Sequence, residues 1–224
     1  MKLMTLLFMM LFSVSAWAEP LSKAPPEPSS ELSLKELPAP LKKGLDRLAA
    51  LAGFSCEFEQ IIFYDDGSKQ VYNGTLAVAK GGHFRWQYVK PYEQLYISNG
   101  DGVWLYEPDL MQAQWLQSIT AVDPVAMRLL EGRVKSEEVQ VLDEVAGVYH
   151  VRLGAGDQAT ELWLALDKQG LPVWFETRDS LDNRNRMRLL SINEQKPKKE
   201  IFEFKVPEGV DTIDANGNMM GSNE

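Results

Sequence analysis

From Phe54 onward apolar and polar side chains alternate with a period of two, and short turn signals break that alternation almost to the end of the chain. A period of two sends successive side chains to opposite faces of a strand, so the pattern calls for a sheet with one buried face. Phe54, Cys56, Phe58 and Gln60 oppose Ser55, Glu57 and Glu59. Asp65-Asp66-Gly67-Ser68 then turns the chain into a second strand over 69–80, and Gly81-Gly82 turns it again. Phe84, Trp86 and Tyr88 alternate with Arg85 and Gln87 up to Lys90-Pro91, and strands over 94–98 and 103–107 flank Asn99-Gly100-Asp101-Gly102. The meander continues over 111–116 and resumes over 139–142, 147–153, 160–167, 171–179 and 184–193. About ten short strands of this kind predict a mainly β fold of the α+β class, an open, curved antiparallel sheet.

Two segments follow the helical period instead. Leu34, Leu37, Leu41, Leu45, Leu48 and Ala52 recur at three- and four-residue spacing, with Gly53 at the end, and Pro40 suits a first helical turn. Asp123-Pro124 is expected to cap a short apolar helix holding Met127, Leu129 and Leu130, closed by Gly132. Helices interrupting the meander favour an open sheet over a closed barrel, with the helices on one face.

The N-terminus is a separate problem. Lys2 precedes a nearly continuous apolar run, and Ala16-Trp17-Ala18 offers small residues at the −3 and −1 positions of a cleavage site, so residues 1–18 read as a secretory signal peptide. The run is too short for a comfortable membrane span. Residues 19–33, with Pro20, Pro25, Pro26 and Pro28 among Ser and Glu, have too little apolar surface to fold and read as a tether. The folded domain is expected over 34–214, with 215–224 as a flexible tail.

Charge and residue counts exclude several functions. A net charge of −9 with no basic block argues against a nucleic-acid partner, since phosphate binding needs clustered cations. One Cys and two His leave no basis for a disulfide framework, a multi-Cys metal site or a multi-His one. His83 lies beside a Gly-Gly turn and His150 within a strand, with no nucleophile elbow in the sequence. Cys56 reads as a small buried hydrophobe, Glu57 and Glu59 as one solvated strand face, and Asp65-Asp66-Gly67 as a hairpin turn lacking the further ligands of a calcium loop. No catalytic constellation, cofactor or metal is therefore expected. What the sequence does supply is aromatic and aliphatic surface: Phe84, Trp86, Val103, Trp104, Leu105, Tyr106, Trp115, Trp163 and Trp174, with Met127 and Leu130 on the second helix. Such residues either fill a core or wall a cavity for an apolar ligand beneath movable helices.

One string of residues is more specific than this pattern. Gly74-Thr75-Leu76, His83-Phe84-Arg85-Trp86-Gln87-Tyr88, Lys90-Pro91 and the run from Ile97 through Asn99-Gly100-Asp101-Gly102 to Trp104-Leu105-Tyr106-Glu107-Pro108 resemble the outer-membrane lipoprotein carrier family, LolA. Phe58 to Gln60, Asp123-Pro124 and the segment from Phe202 to Asp211 extend the resemblance over roughly 34–214. It implies an unclosed half-barrel with two or three helices as a lid, and a cavity that takes the acyl chains of lipoproteins across the periplasm. The implied partners are acylated lipoproteins, an inner-membrane lipoprotein-releasing ABC transporter and an outer-membrane receptor, LolB, with the carrier acting as a monomer. That receptor is itself a lipoprotein, whereas no Cys follows the cleavage site here, which points to the soluble carrier. Where family members often have Lys-Arg-Pro, with the Arg tying the lid shut, this chain has Ala79-Lys80-Gly81, so Lys80 becomes the candidate latch. The segment after Asp179 also lacks the Gly-Gln common in the family.

Overall fold

The apolar face demanded by the alternation is buried under two helices in the computed structural model, which describes residues 36–116, 124–154, 159–179 and 181–222. The signal peptide, the tether and the capping Asp123 lie outside the described residues. The first helix, α1 (Ala39–Ala50), starts one residue before Pro40, where the missing proline N–H is no loss, and buries Leu41, Leu45 and Leu48 along one stripe. The second, α2 (Pro124–Leu130), buries Ala126, Met127, Leu129 and Leu130. It ends in a left-handed glycine: Gly132 has φ +66°, Gly132 N–H donates to Leu129 O at 3.0 Å and Arg133 N–H donates to Arg128 O at 2.9 Å.

Between and after the helices run β1 (Gly53–Phe63), β2 (Lys69–Ala79), β3 (His83–Lys90), β4 (Gln94–Asn99), β5 (Val103–Glu107), β6 (Gln112–Leu116), β7 (Val139–Val145), β8 (Val148–Leu153), β9 (Thr160–Leu166), β10 (Pro172–Arg178), β11 (Arg184–Asn193), β12 (Asp211–Ile213) and β13 (Met219–Ser222). They form one sheet in the order β13-β12-β6-β5-β4-β3-β2-β1-β11-β10-β9-β8-β7. Its two end strands do not pair with each other, so the sheet is curved and open rather than a closed barrel. Every pairing is antiparallel except β12 with β6.

Among the described residues the strands number thirteen rather than about ten, and the difference is largely at the end of the chain. After β11 the chain crosses the back of the sheet through a 3-10 turn, Lys199–Phe202, then joins the β6 edge as β12. Asp214 builds the next turn, accepting from the backbone N–H of Asn216 and Asn218 at 2.8 Å each. Residues 219–222, expected within a tail, thereby return as β13 against β12.

Register fixes which side chains share a face. Cys56 lies opposite Leu76, Leu76 opposite Trp86, Trp86 opposite Tyr96 and Tyr96 opposite Leu105. On the other wing Phe58 faces Leu189, Met187 faces Phe175 and Phe175 faces Leu164. These residues line the inner face, and most of them join α1 and α2 in one continuous core. Gly74 contributes by its size: a Cβ there would stand 2.8 Å from the Phe58 ring, which edges onto Trp86 and Tyr88.

Candidate functional site

The inner face under the helices is the candidate site, and its deepest wall is β3. Phe84 and Trp86 are 0% and 1% exposed. Trp86 stacks on Tyr88 with ring planes 11° apart and centroids 6.0 Å apart, and Phe58 meets it edge-on. Leu105 is on the same face, half-buried on β5, while Met127 and Leu130 descend onto the face from α2.

The other five candidates lie on the opposite face. Trp104 pairs with Ile97 and Trp115, and Tyr106 with Leu95 and Ala113, a ladder that runs along the back of the sheet. There Phe204 approaches Trp104 at 5.9 Å and Tyr106 at 5.6 Å, as the C-terminal segment crosses. Trp163 and Trp174 share that side with Glu176 and Arg186. His150 stacks on Trp163 at 4.0 Å, the Arg178 guanidinium sits 4.4 Å from the same ring, and Arg186 sits 5.0 Å from Trp174. The expected single aromatic face thus divides, because Trp104, Leu105 and Tyr106 are consecutive and a strand must send Leu105 away from its two neighbours.

A small space of about 10 Å³ beside α1 is lined by Leu48, Phe54, Leu171, Pro172, Leu189 and Ile192. Larger hollows, of about 410 and 330 Å³, sit on the back, sharing Glu57 and Thr75 and including Arg85. The helix side chains themselves occupy the inner face, so an apolar ligand would reach it by displacing a helix.

Polar bonds hold α1 in place. Arg47 donates to Gln169 O at 3.0 Å and pairs with Glu194 at 2.5 Å. The Lys80 ammonium donates to the carbonyl of Ala49 in the last turn of α1, where helix carbonyls lack partners and the dipole favours a cation. Glu131, buried just after α2, receives the Arg133 guanidinium on one oxygen; its Oε1 has no partner among the described residues.

The remaining polar candidates have structural roles. Cys56 is buried on the inner face, and burial, with a smaller contribution from Glu57, pushes its thiol up to about 12. Glu59 pairs with Arg188 at 3.3 Å, and Ser191 Oγ lies 3.5 Å from Glu57. The Ser68 hydroxyl first, and then the Ser68 N–H, which donates to Asp66 at 2.8 Å in the first hairpin, hold the Asp66 carboxyl below its ordinary value. His83 Nδ1 contacts Lys80 O at 3.2 Å. His150 Nε2 lies 2.9 Å from Glu161, whose pKa is lowered first by its bond from Arg152 and then by His150. Among the described residues no cluster of three His, Cys, Asp or Glu is placed to hold a metal ion.

Sequence reasoning missed two parts of the site. Tyr72 and Tyr92 hydroxyls lie 3.3 Å apart, and Gln60 Nε2 donates to Asn185 Oδ1 at 2.8 Å, giving the inner face a polar end. Gln60 was placed by alternation, but its partner is supplied by β11, distant in sequence.

Comparison with known proteins bears on this architecture. Residues 49–205 match the profile of the family described as outer membrane lipoprotein carrier protein LolA. An outer-membrane lipoprotein carrier protein of Nitrosomonas europaea is 30% identical over 198 residues, covering 81% of this chain and 95% of that protein. One from Vibrio cholerae serotype O1 is 25% identical over 185 residues, covering 81% and 93%. An uncharacterized conserved protein from Thermus thermophilus has a similar fold at TM-score 0.50 and 12% identity, covering 77% of this chain and 97% of that one. With the family profile matched over most of its length, this chain belongs to the LolA family of outer-membrane lipoprotein carriers.

Proposed function

We propose that this chain carries acylated lipoproteins through the periplasm, receiving them from an inner-membrane ABC transporter and delivering them to an outer-membrane receptor of the LolB kind. The observation that carries the reading is the inner face: Leu76, Phe84, Trp86, Leu162 and Leu164 belong to one apolar surface under two short helices. The relatives named as lipoprotein carriers support the cargo class, and the leader read in residues 1–18 supports export. The role is binding rather than catalysis, and it calls for no cofactor and no second copy of the chain.

Energetics explain why the helices should cover that face. Burying a sixteen-carbon acyl chain would stabilise the complex by on the order of 12 kcal/mol, which would make release very slow. Helices that must leave their own apolar contacts before the chain can enter offset much of that gain. Phe84, Trp86, Leu105, Met127 and Leu130 then serve as the acyl-chain surface. Trp104, Tyr106, Trp115, Trp163 and Trp174 serve the back of the sheet instead. Lys80 acts as the latch by holding the end of α1.

Loading needs an energy source on the transporter's side, because the sequence has no nucleotide-binding motif and ATP is absent outside the cytoplasm. Unloading must therefore run downhill. Mixing cargo-loaded carrier with excess receptor should move most of the cargo without nucleotide, while cargo placed first on the receptor should stay there. Transfer that requires ATP, or runs equally in both directions, would refute this function.

A further inference from the structure

We propose that the indole N–H of Trp86 donates a hydrogen bond to the carbonyl at the root of a cargo acyl chain, an ester or amide oxygen, when that chain lies on the inner face. The proposal rests on the carrier reading and adds to it a polar contact that fixes the depth and direction of the bound chain.

Trp86 is 1% exposed, and its Nε1 has no hydrogen-bond partner among the described residues. A buried N–H without a partner costs free energy comparable with a lost hydrogen bond, and buried tryptophans usually find one. Phe would bring an aromatic ring to this position without that cost. Indole can only donate, so its missing partner must be an acceptor. The surroundings are aromatic and aliphatic: Phe58 is edge-on, Tyr88 stacks on the indole, and Leu76 and Tyr96 lie directly across the ladder on either side. A carboxylate brought here would lose its hydration with no cation to replace it, so the acceptor must be neutral.

The inner face is graded on either side of this residue. Toward the far end of β3 lie the Tyr72–Tyr92 hydroxyl pair and the Gln60–Asn185 hydrogen bond, with Tyr92 47% exposed. Toward the start of β3 lie Phe84 and Val78, both buried in the core that α1 and α2 cover. An amphiphile matches this gradient in one direction, with its polar end among the tyrosines and its hydrocarbon beside Phe84. Trp86 stands at the boundary, where the first carbonyl of such a chain would fall.

The test compares a synthetic dipalmitoylglyceryl-cysteine peptide with its dialkyl ether analogue, which keeps the hydrocarbon and removes the ester carbonyls. Wild-type protein should bind the ester roughly five- to tenfold more tightly, the weight of one buried hydrogen bond. In ¹⁵N-indole spectra the resonance absent from Trp86→Phe should move downfield with the ester and not with the ether. Whatever its affinity for the ether, Trp86→Phe should bind ester and ether alike and so lose the ester preference. An ester preference that survives in Trp86→Phe, or an indole resonance that the ester leaves in place, would overturn the proposal. Equal binding of both probes by wild type would also overturn it and leave the carrier reading standing. Failure of wild type to bind either probe would remove the carrier reading itself. Should Trp86→Phe fail to fold, the wild-type ester-to-ether ratio and indole shift decide the matter.

Discussion

Gly132 sets how closely α2 can approach α1. Its φ is +66°, and a Cβ there would stand 2.4 Å from the carbonyl oxygen of Leu48. Gly132→Ala should lower stability by about 2–4 kcal/mol, combining left-handed strain with a clash against backbone. Chemical denaturation would read this as an earlier midpoint at unchanged slope, and a change below about 0.5 kcal/mol would show that the helix pair gives way freely. Residue identity made this glycine legible as a helix stop, but its contact with Leu48 belongs to tertiary structure. The same limit explains the divided aromatic set. Val103 to Tyr106 is apolar throughout, so the pattern there does not say which residues face inward, and the answer comes from Ile97 opposite Trp104 and from Phe204 covering it.

At the scale of elements, α1 is held at its last turn by a side chain whose removal should loosen it. Lys80 reaches the Ala49 carbonyl, and Cys56 lies on the inner face in the core that α1 covers. Burial raises the Cys56 thiol from an ordinary 9.0 to about 12. Below pH 9.0 the thiol is therefore protonated and shielded, and modification reports opening rather than titration. A folded-state pKa above the unfolded one also means that this contribution to stability is intact below 9.0 and lost as pH rises toward 12. Lys80→Ala should speed Cys56 modification roughly three- to tenfold, and Lys80→Arg should leave it at or below the wild-type rate. Equal rates in all three proteins would show that Lys80 does not hold the helix.

Most strands were readable from alternation, because each has one face in the core and local turn residues at its ends. β12 and β13 were not. β12 is three residues long and pairs in parallel with β6, a contact that no local pattern announces. The turn between them, Asp214-Ala215-Asn216-Gly217-Asn218, whose Asp214 carboxylate accepts both backbone bonds, falls where the domain was expected to give way to a tail.

At the scale of the whole molecule, an open thirteen-strand sheet with helices on one face has two distinct surfaces. The inner one is continuous and apolar except at its polar end, where Tyr72, Tyr92, Gln60 and Asn185 meet. The outer one carries ion pairs such as Arg186–Glu176 at 2.6 Å and is crossed by the C-terminal segment, with Phe202 buried against Ala77 and Ala79. Fold class was legible because the period of two persists along the chain. The allocation of aromatic residues to the two surfaces was not, since it depends on register between strands far apart in sequence. Whether acyl chains lie on the inner surface can be read with a lipopeptide carrying a photoreactive group in its acyl chain, with cross-linked residues identified by mass spectrometry. Cross-links are expected at Leu76, Trp86, Met127 and Leu164; labelling confined to Trp104, Trp115 and Trp163, or no labelling by a bound lipopeptide at the inner face, would rule out acyl binding there.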